Sequence, residues 1–447
     1  MKTYVEGMAA HATIPVRSEA TQTFLHISQP TSLPHATTLG PGCSATFPFT
    51  FVVPTTLLDT SCCHRVASPG IRTAHLSLPP SLGDSKLSSS AARTRSLDDI
   101  APDMTKIMYG VRVRLSARDL GSNELTLIAE KFLKLRILPT THEEPPLMLS
   151  HDSPARHDAL LKPDYQPRRE RTLRRSILPL SRNTGRLAVQ TAQPAPFRLP
   201  HPGSPTKQAD TLVTLRVRFD PLTTDAYPPH LGDLVARLNV GTFFATAAMR
   251  DLPSRSGVLC DCTQGAFHET LLLSRRSMRN VAWRRHDSSA QNVNGSSLIR
   301  HDSGISVSAD TDASSGAIKP SKLYDPALAY YTATLTLPVR LPADKAWIPT
   351  FHSCLVSRIY TLELALVVDA PGAGRHMDVS VPVQVSAVSS GNIGVKDVVK
   401  IHDLHVGSPA FCGSAGAAYD AETMLGDPMQ DRTVSRDRVY GLSLIHI

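Results

Sequence analysis

The chain has 447 residues, with 35 prolines, 25 glycines, 5% aromatic residues and a formal charge of +8. That length holds two or three domains. Abundant proline and few long apolar runs exclude a helical bundle and a doubly wound sheet, and favour an all-β chain of short strands between turns.

In chain order, residues 1–20 are weakly patterned. Residues 23–27 read as a strand, and 46–53 as a compact apolar strand interrupted by Pro48. Residues 83–100 are serine-rich and read as an exposed loop. Ile107, Tyr109, Val111, Val113 and Leu115 alternate with polar residues and glycine, which predicts a strand with one wet face. Residues 125–138 supply the next strand or strand pair. Together these make a first β-sandwich over 1–145. Residues 146–182 read as a basic linker, because 155–186 carries nine Arg or Lys against three Asp or Glu.

A second β-sandwich is expected over 183–405. Val213, Leu215, Val217 and Phe219 alternate with polar residues, as do Leu234, Ala236, Leu238 and Val240. Residues 271–273 and 281–283 are shorter strand candidates. Residues 286–320 are rich in Ser, Asp, Asn and Gly, and are expected to be a disordered insert. Tyr331, Ala333, Leu335 and Leu337 restart the sheet. The best-patterned stretch follows. Tyr360, Leu362, Leu364, Leu366 and Val368 fall on one strand face, Pro371 to Gly374 breaks the strand, and Met377, Val379, Val381, Val383 and Val385 alternate again. This is a hairpin with one buried face. Pro382 cannot donate to a ladder, which places its strand at an edge or a bulge. Residues 406–447 read as a tail, and 442–447 resemble a translated sequencing adaptor.

The seven cysteines, Cys43, Cys62, Cys63, Cys260, Cys262, Cys354 and Cys412, are odd in number and irregularly spaced, unlike a disulfide scaffold. No signal-peptide core and no apolar run of about 18 residues is present, so a cytoplasmic chain is expected. Cys62-Cys63-His64 and Cys260-Asp261-Cys262 lack the spacing of a zinc pair and read as free thiols. Cys354 reads as a small packing residue. His352 and His64 have no acid or nucleophile at a recognisable spacing. No catalytic, metal or cofactor site is therefore expected. Arg358 shares parity with Tyr360. It reads as a strand-end arginine whose head reaches water; the competing reading is a charge clasp at a domain interface. Arg285-His286-Asp287-Ser288 and Arg300-His301-Asp302-Ser303 repeat one tetrapeptide, which makes Ser288 and Ser303 candidate phosphosites, with chance repetition in a serine-rich segment as the competing reading. The basic segment 155–186 could touch anionic membrane; with Tyr165 its lone aromatic residue, nucleic acid is not expected as a partner.

The run Pro349-Thr350-Phe351-His352-Ser353-Cys354-Leu355-Val356-Ser357-Arg358-Ile359-Tyr360 resembles the signature segment in the second domain of arrestin-like proteins of filamentous fungi. Two other places are similar to the same family. One is Cys43-Ser44-Ala45-Thr46-Phe47-Pro48-Phe49-Thr50-Phe51-Val52-Val53-Pro54, preceded by Phe24 to Pro30. The other is Leu78-Pro79-Pro80-Ser81-Leu82-Gly83-Asp84. The resemblance spans about 24–385, in strings that are structural and not catalytic. It implies two arrestin-like immunoglobulin-type β-sandwich domains, the first lacking its opening strands. It also implies an adaptor that joins cytosolic segments of membrane transporters or receptors to a HECT-type ubiquitin ligase for endocytosis, peripheral at the plasma membrane or endosomes. Such adaptors catch the WW domains of the ligase with Pro-Pro-x-Tyr. This sequence has none. Pro163 with Tyr165 is a partial match, and Tyr227-Pro228-Pro229-His230 holds the prolines without the final tyrosine. The alternative is an arrestin-fold scaffold in trafficking or signalling with no ligase contact.

Overall fold

The computed structural model describes residues 2–8, 15–30, 50–83, 97–119, 125–141, 167–176, 182–200, 209–287, 318–371, 376–387 and 438–444. Among these residues the chain is all-β, in mainly antiparallel sheets with two short α-helices. Two compact units are discontinuous in sequence: Met1–Gln22, Thr55–Ile107 and Leu138–Ser390 form one, and Thr23–Pro54, Met108–Ile137 and Gly391–Ile447 form the other. These units cut across the consecutive 1–145 and 183–405 expected from sequence. The reason is long-range backbone pairing that period-two patterns do not register, such as Ala67 N–H to the Arg250 carbonyl at 2.8 Å.

In chain order, β1 (Lys2–Met8) and β2 (Pro15–Thr21) form a hairpin in the first unit. Its polar strands carry no clean apolar alternation, and Lys2 and Glu19 bridge it at 2.6 Å. Thr3 Oγ1 donates to the Ala245 carbonyl at 2.6 Å. A short strand, β3, is at Gln29–Pro30, and 23–27, expected as a strand, has no strand structure. Helix α1 (Pro69–Leu76) follows from an N-cap Ser68, whose Oγ accepts from Ile71 N–H, and a proline in the first turn. β4 (Thr105–Lys106) pairs with β1, and Ile107 directly after it bridges to Leu82.

The second unit contains β5 (Tyr109–Asp119) and β6 (Leu125–Leu135), an antiparallel pair matching the predicted strands. Val111 and Val113 are buried as the alternation predicts. A late strand, Arg438–Leu444, pairs with β5. The tail reading is thereby corrected over those residues.

The sandwich lies in the first unit. β7 (Arg168–Arg174), β8 (Asn183–Thr191), β10 (Asp210–Pro221), β14 (Tyr330–Arg340) and β13 (Arg284–His286) make one sheet, ordered 7-8-10-14-13. β12 (Gln264–Ser277), β11 (His230–Ala245), β16 (Val356–Asp369) and β17 (His376–Val383) make the other. Short β9 (Phe197–Leu199) and β18 (Val385–Ala387) pair in parallel. One core joins both sheets: Val213, Leu215, Val217 and Phe219 meet Leu234, Leu238, Leu362, Leu364, Leu366 and Val381, all at most 1% exposed. Each such Leu or Val contributes roughly 1.5–3 kcal/mol on burial. The predicted 360–368/377–385 hairpin is β16–β17, and Pro382 sits on an edge strand opposite Thr361.

Two expectations need correction. Within the 146–182 linker, 168–174 is a strand paired with β8, and Glu170 accepts from Arg168 and Arg186 at 2.9 and 2.8 Å, which offsets part of the local positive charge. The strand expected at 281–283 begins instead at Arg284, and Trp283 caps it by donating Nε1–H to the Pro229 carbonyl at 3.2 Å. Most of the 286–320 insert lies outside the described residues. Its C-terminal end is held: Arg218, buried, donates to the Ile318 carbonyl at 3.1 Å and to Asp220 Oδ1 at 2.7 Å, and its guanidinium lies 3.9 Å from the Tyr330 ring centre.

Candidate functional site

Segment 349–360 is the hub of the sandwich. Thr350 N–H donates to the Val385 carbonyl at 2.9 Å, and its Oγ1 accepts from Val385 N–H. Phe351 and His352 form the short strand β15 (Phe351–His352), which pairs with the start of β16. Between them, Ser353 closes a tight turn. Its Oγ donates to the Val356 carbonyl at 2.7 Å, and its N–H donates to the same oxygen at 2.9 Å. Every residue from Phe351 to Tyr360 is buried. Pro349 is buried too, and Tyr360 donates its hydroxyl to the Ile348 carbonyl at 2.8 Å.

Arg358 does not reach water. It is 0% exposed, and its two terminal nitrogens donate to the carbonyls of Asp99 and Ile100 at 3.2 and 3.1 Å. The favoured strand-end reading is overturned, because the loop at 98–101 folds over the strand and supplies carbonyls in place of solvent. That loop is neither simply exposed nor relaxed. Asp99 and Ile100 are buried, and Ile100 has a φ of +59°, a left-handed conformation unfavourable for a β-branched residue. Asp98 Oδ1 accepts from Ile100 N–H at 3.0 Å and Asp98 Oδ2 meets Lys345 Nζ at 2.9 Å, so both side and main chain hold the loop.

The tight turn also places Cys354 beside residues almost 300 positions earlier. After the 3-10 turn at Asp59–Ser61, the chain presents Cys62 and then His64; α1 presents His75 from the same face as Ile71. Ligand-capable atoms of Cys62, His64, His75 and Cys354 all lie within 4.8 Å of one another. Cys62 Sγ is 3.7 Å from His75 Nδ1 and 3.8 Å from His64 Nδ1. His64 Nε2 lies 3.0 Å from the Met249 carbonyl. A carbonyl only accepts, so Nε2 carries the proton and Nδ1 holds a lone pair. Burial, with His64 nearby, pulls the His75 pKa down to about 4. Burial, with Cys62 adding to it, pushes the Cys354 thiol up to about 12. His352 stands next to this cluster, its pKa lowered to about 3 by burial and by His75, and neither ring nitrogen has a hydrogen-bond partner.

Sequence reasoning read Cys62-Cys63-His64 as free thiols and Cys354 as a packing residue, and did not weigh His75. Cys62 and His64 are two residues apart, but no local spacing joins them to His75 or Cys354. Cys63, Cys260 and Cys262 are exposed free thiols. Of the remaining sequence candidates, Phe51 and Pro54 are half-buried in irregular structure. Phe47, Pro48, Phe49, Pro163, Tyr165, Ser288 and Ser303 lie outside the described residues. Tyr227 is 80% exposed. No family model matches the chain, and no curated protein matches it.

Proposed function

We propose that the chain is an arrestin-like binding protein that presents sandwich edges and loops to cytosolic segments of membrane cargo. The observation that carries this reading is the coincidence of the 349–360 string with the hub of a β-sandwich, where a structural signature belongs. It is supported by β6, a sheet-edge strand that exposes Leu127, Ile128, Phe132 and Leu133 and could accept an added peptide strand. Among the described residues no helix is long and apolar enough to cross a membrane. In this reading the chain works at the plasma membrane or endosomes, with the arginines of 155–186 touching anionic lipid.

Recruitment of a HECT-type ubiquitin ligase, with ubiquitination and endocytosis of the cargo, is the fuller form of the proposal. The absence of Pro-Pro-x-Tyr from the sequence favours the second form, a scaffold in trafficking or signalling without ligase contact. The forms separate by WW-domain binding to the full chain and to peptides around Tyr165 and Tyr227. Binding supports ligase recruitment, and its absence leaves the scaffold. Retention of a surface transporter at the membrane equally in cells with and without the gene would reject cargo adaptation in both.

A further inference from the structure

We infer that Cys62, His64, His75 and Cys354 form a closed tetrahedral site for a zinc-class divalent ion, which fastens the 59–76 segment to the turn between β15 and β16. This goes beyond the adaptor reading and stands whether or not that reading does.

Three observations carry it. The first is distance. With Zn–S near 2.3 Å and Zn–N near 2.0–2.1 Å, a tetrahedral site has S···N edges of about 3.5 Å and an S···S edge of about 3.8 Å. The two S···N separations at Cys62 are 3.7 and 3.8 Å, and the whole donor set spans at most 4.8 Å. Small side-chain adjustments close the remainder. The second is the orienting bond. Zinc-bound histidines donate their other ring N–H to a carbonyl or carboxylate, which fixes the ligating nitrogen. His64 does this through Nε2 to Met249, which makes Nδ1 the ligating nitrogen; Cys62 Sγ lies 3.8 Å from Nδ1 and 3.9 Å from Nε2, so a small ring rotation aims Nδ1 at the ion. The third is closure. Cys62, His75 and Cys354 are 0%, 3% and 4% exposed, and four protein ligands leave no position for water. That is a structural site and not a catalytic one.

The chemistry is consistent with this burial. Two thiols and two imidazoles select zinc over magnesium or calcium, which prefer oxygen. On binding, each cysteine S–H breaks, its proton goes to solvent and its sulfur pair forms a bond to the ion. Two thiolates then cancel the 2+ charge, and two neutral histidines complete a site with no net charge to bury. Without the ion, Cys62 meets His64 and His75 through S···N contacts of 3.7 Å or longer and Cys354 meets the Ser61 carbonyl at 3.8 Å, weak partners for buried groups.

The test is metal content of the full chain, expressed with added zinc and purified under reducing conditions without chelator. About one zinc per chain is expected, falling below about a tenth in Cys62→Ser and Cys354→Ser and kept in Cys63→Ser and Cys260→Ser. Cobalt in place of zinc should give the visible absorption of a tetrahedral thiolate site. Chelator should lower the thermal midpoint of the wild type, and added zinc should restore it. If the serine variants fail to fold, the wild-type zinc content and cobalt spectrum decide. A wild type with under about a tenth of an equivalent of zinc and no tetrahedral cobalt spectrum overturns the inference. So does full zinc retention in both serine variants, or a Cys62–Cys354 disulfide found by mass spectrometry in the purified protein.

Discussion

Arg358 offers the sharpest test of how segment 349–360 is held. Arg358→Met keeps the aliphatic stem and removes the guanidinium. Two hydrogen bonds from a cation are lost, each of about 1.5–3 kcal/mol, and the carbonyls of Asp99 and Ile100 lose their partners in a buried place. Against this, the variant no longer holds a cation out of water, a relief of several kcal/mol. Removing one side of a buried polar contact is nonetheless usually a net loss. Ile100 adds to it, because its left-handed backbone, strained by about 1–3 kcal/mol, persists only while its surroundings hold it. The net expectation is a destabilisation of about 2–4 kcal/mol. Arg358→Lys should recover less than half, since one ammonium cannot reproduce the two-pronged reach of a guanidinium. Urea unfolding followed by tryptophan fluorescence reads this directly, with Trp347 lying 6.1 Å from Tyr360. A loss below about 0.5 kcal/mol, or a gain, would refute the argument that carbonyls and guanidinium are mutually required.

Three further outcomes follow from the same structure. Leu364→Ala, at a position 1% exposed between the sheets, should cost about 2–5 kcal/mol in the same urea assay, with an exposed control such as Leu259→Ala within about 0.5. Gly83→Ala should cost more than about 1 kcal/mol, because Gly83 has a φ of +73° and a Cβ there would sit 2.8 Å from the Thr105 carbonyl oxygen. His286 stacks on Tyr330 at 4.5 Å, and burial, then Arg284 and Arg218, lower its pKa. Its proton is therefore bound more readily in the unfolded chain, so its contribution is present above pH 6.5 and lost as the pH falls through the lower folded value. Its imidazole should titrate below 6.5 by NMR, and Tyr330→Ala should move it upward.

What was legible in the sequence was what period two encodes. Leu362, Leu364 and Leu366 alternate because one strand face meets a second sheet, and the same holds for Val213 to Phe219. β1 and β2 escaped notice because polar strands pair through backbone and the Lys2–Glu19 bridge, with no apolar stripe. β7 was hidden by its arginines, which Glu170 and the neighbouring strand accommodate. The Arg358 clasp and the thiol–imidazole cluster were invisible for another reason. Their members are brought together by loops at 98–101 and 59–76, about 260 and 290 residues from the turn they meet. Such long-range pairing leaves no local spacing to read.

The central claim is that two facing sheets, one centred on β11 and β16 and the other on β10, form the stable heart of this chain. Hydrogen exchange of the full-length protein, read peptide by peptide, tests it most directly. The account predicts the slowest exchange in β11 and β16 and in β10 opposite them, with the edge strands β7 and β17 exchanging earlier. Exchange over 356–366 as fast as in those edge strands would contradict it.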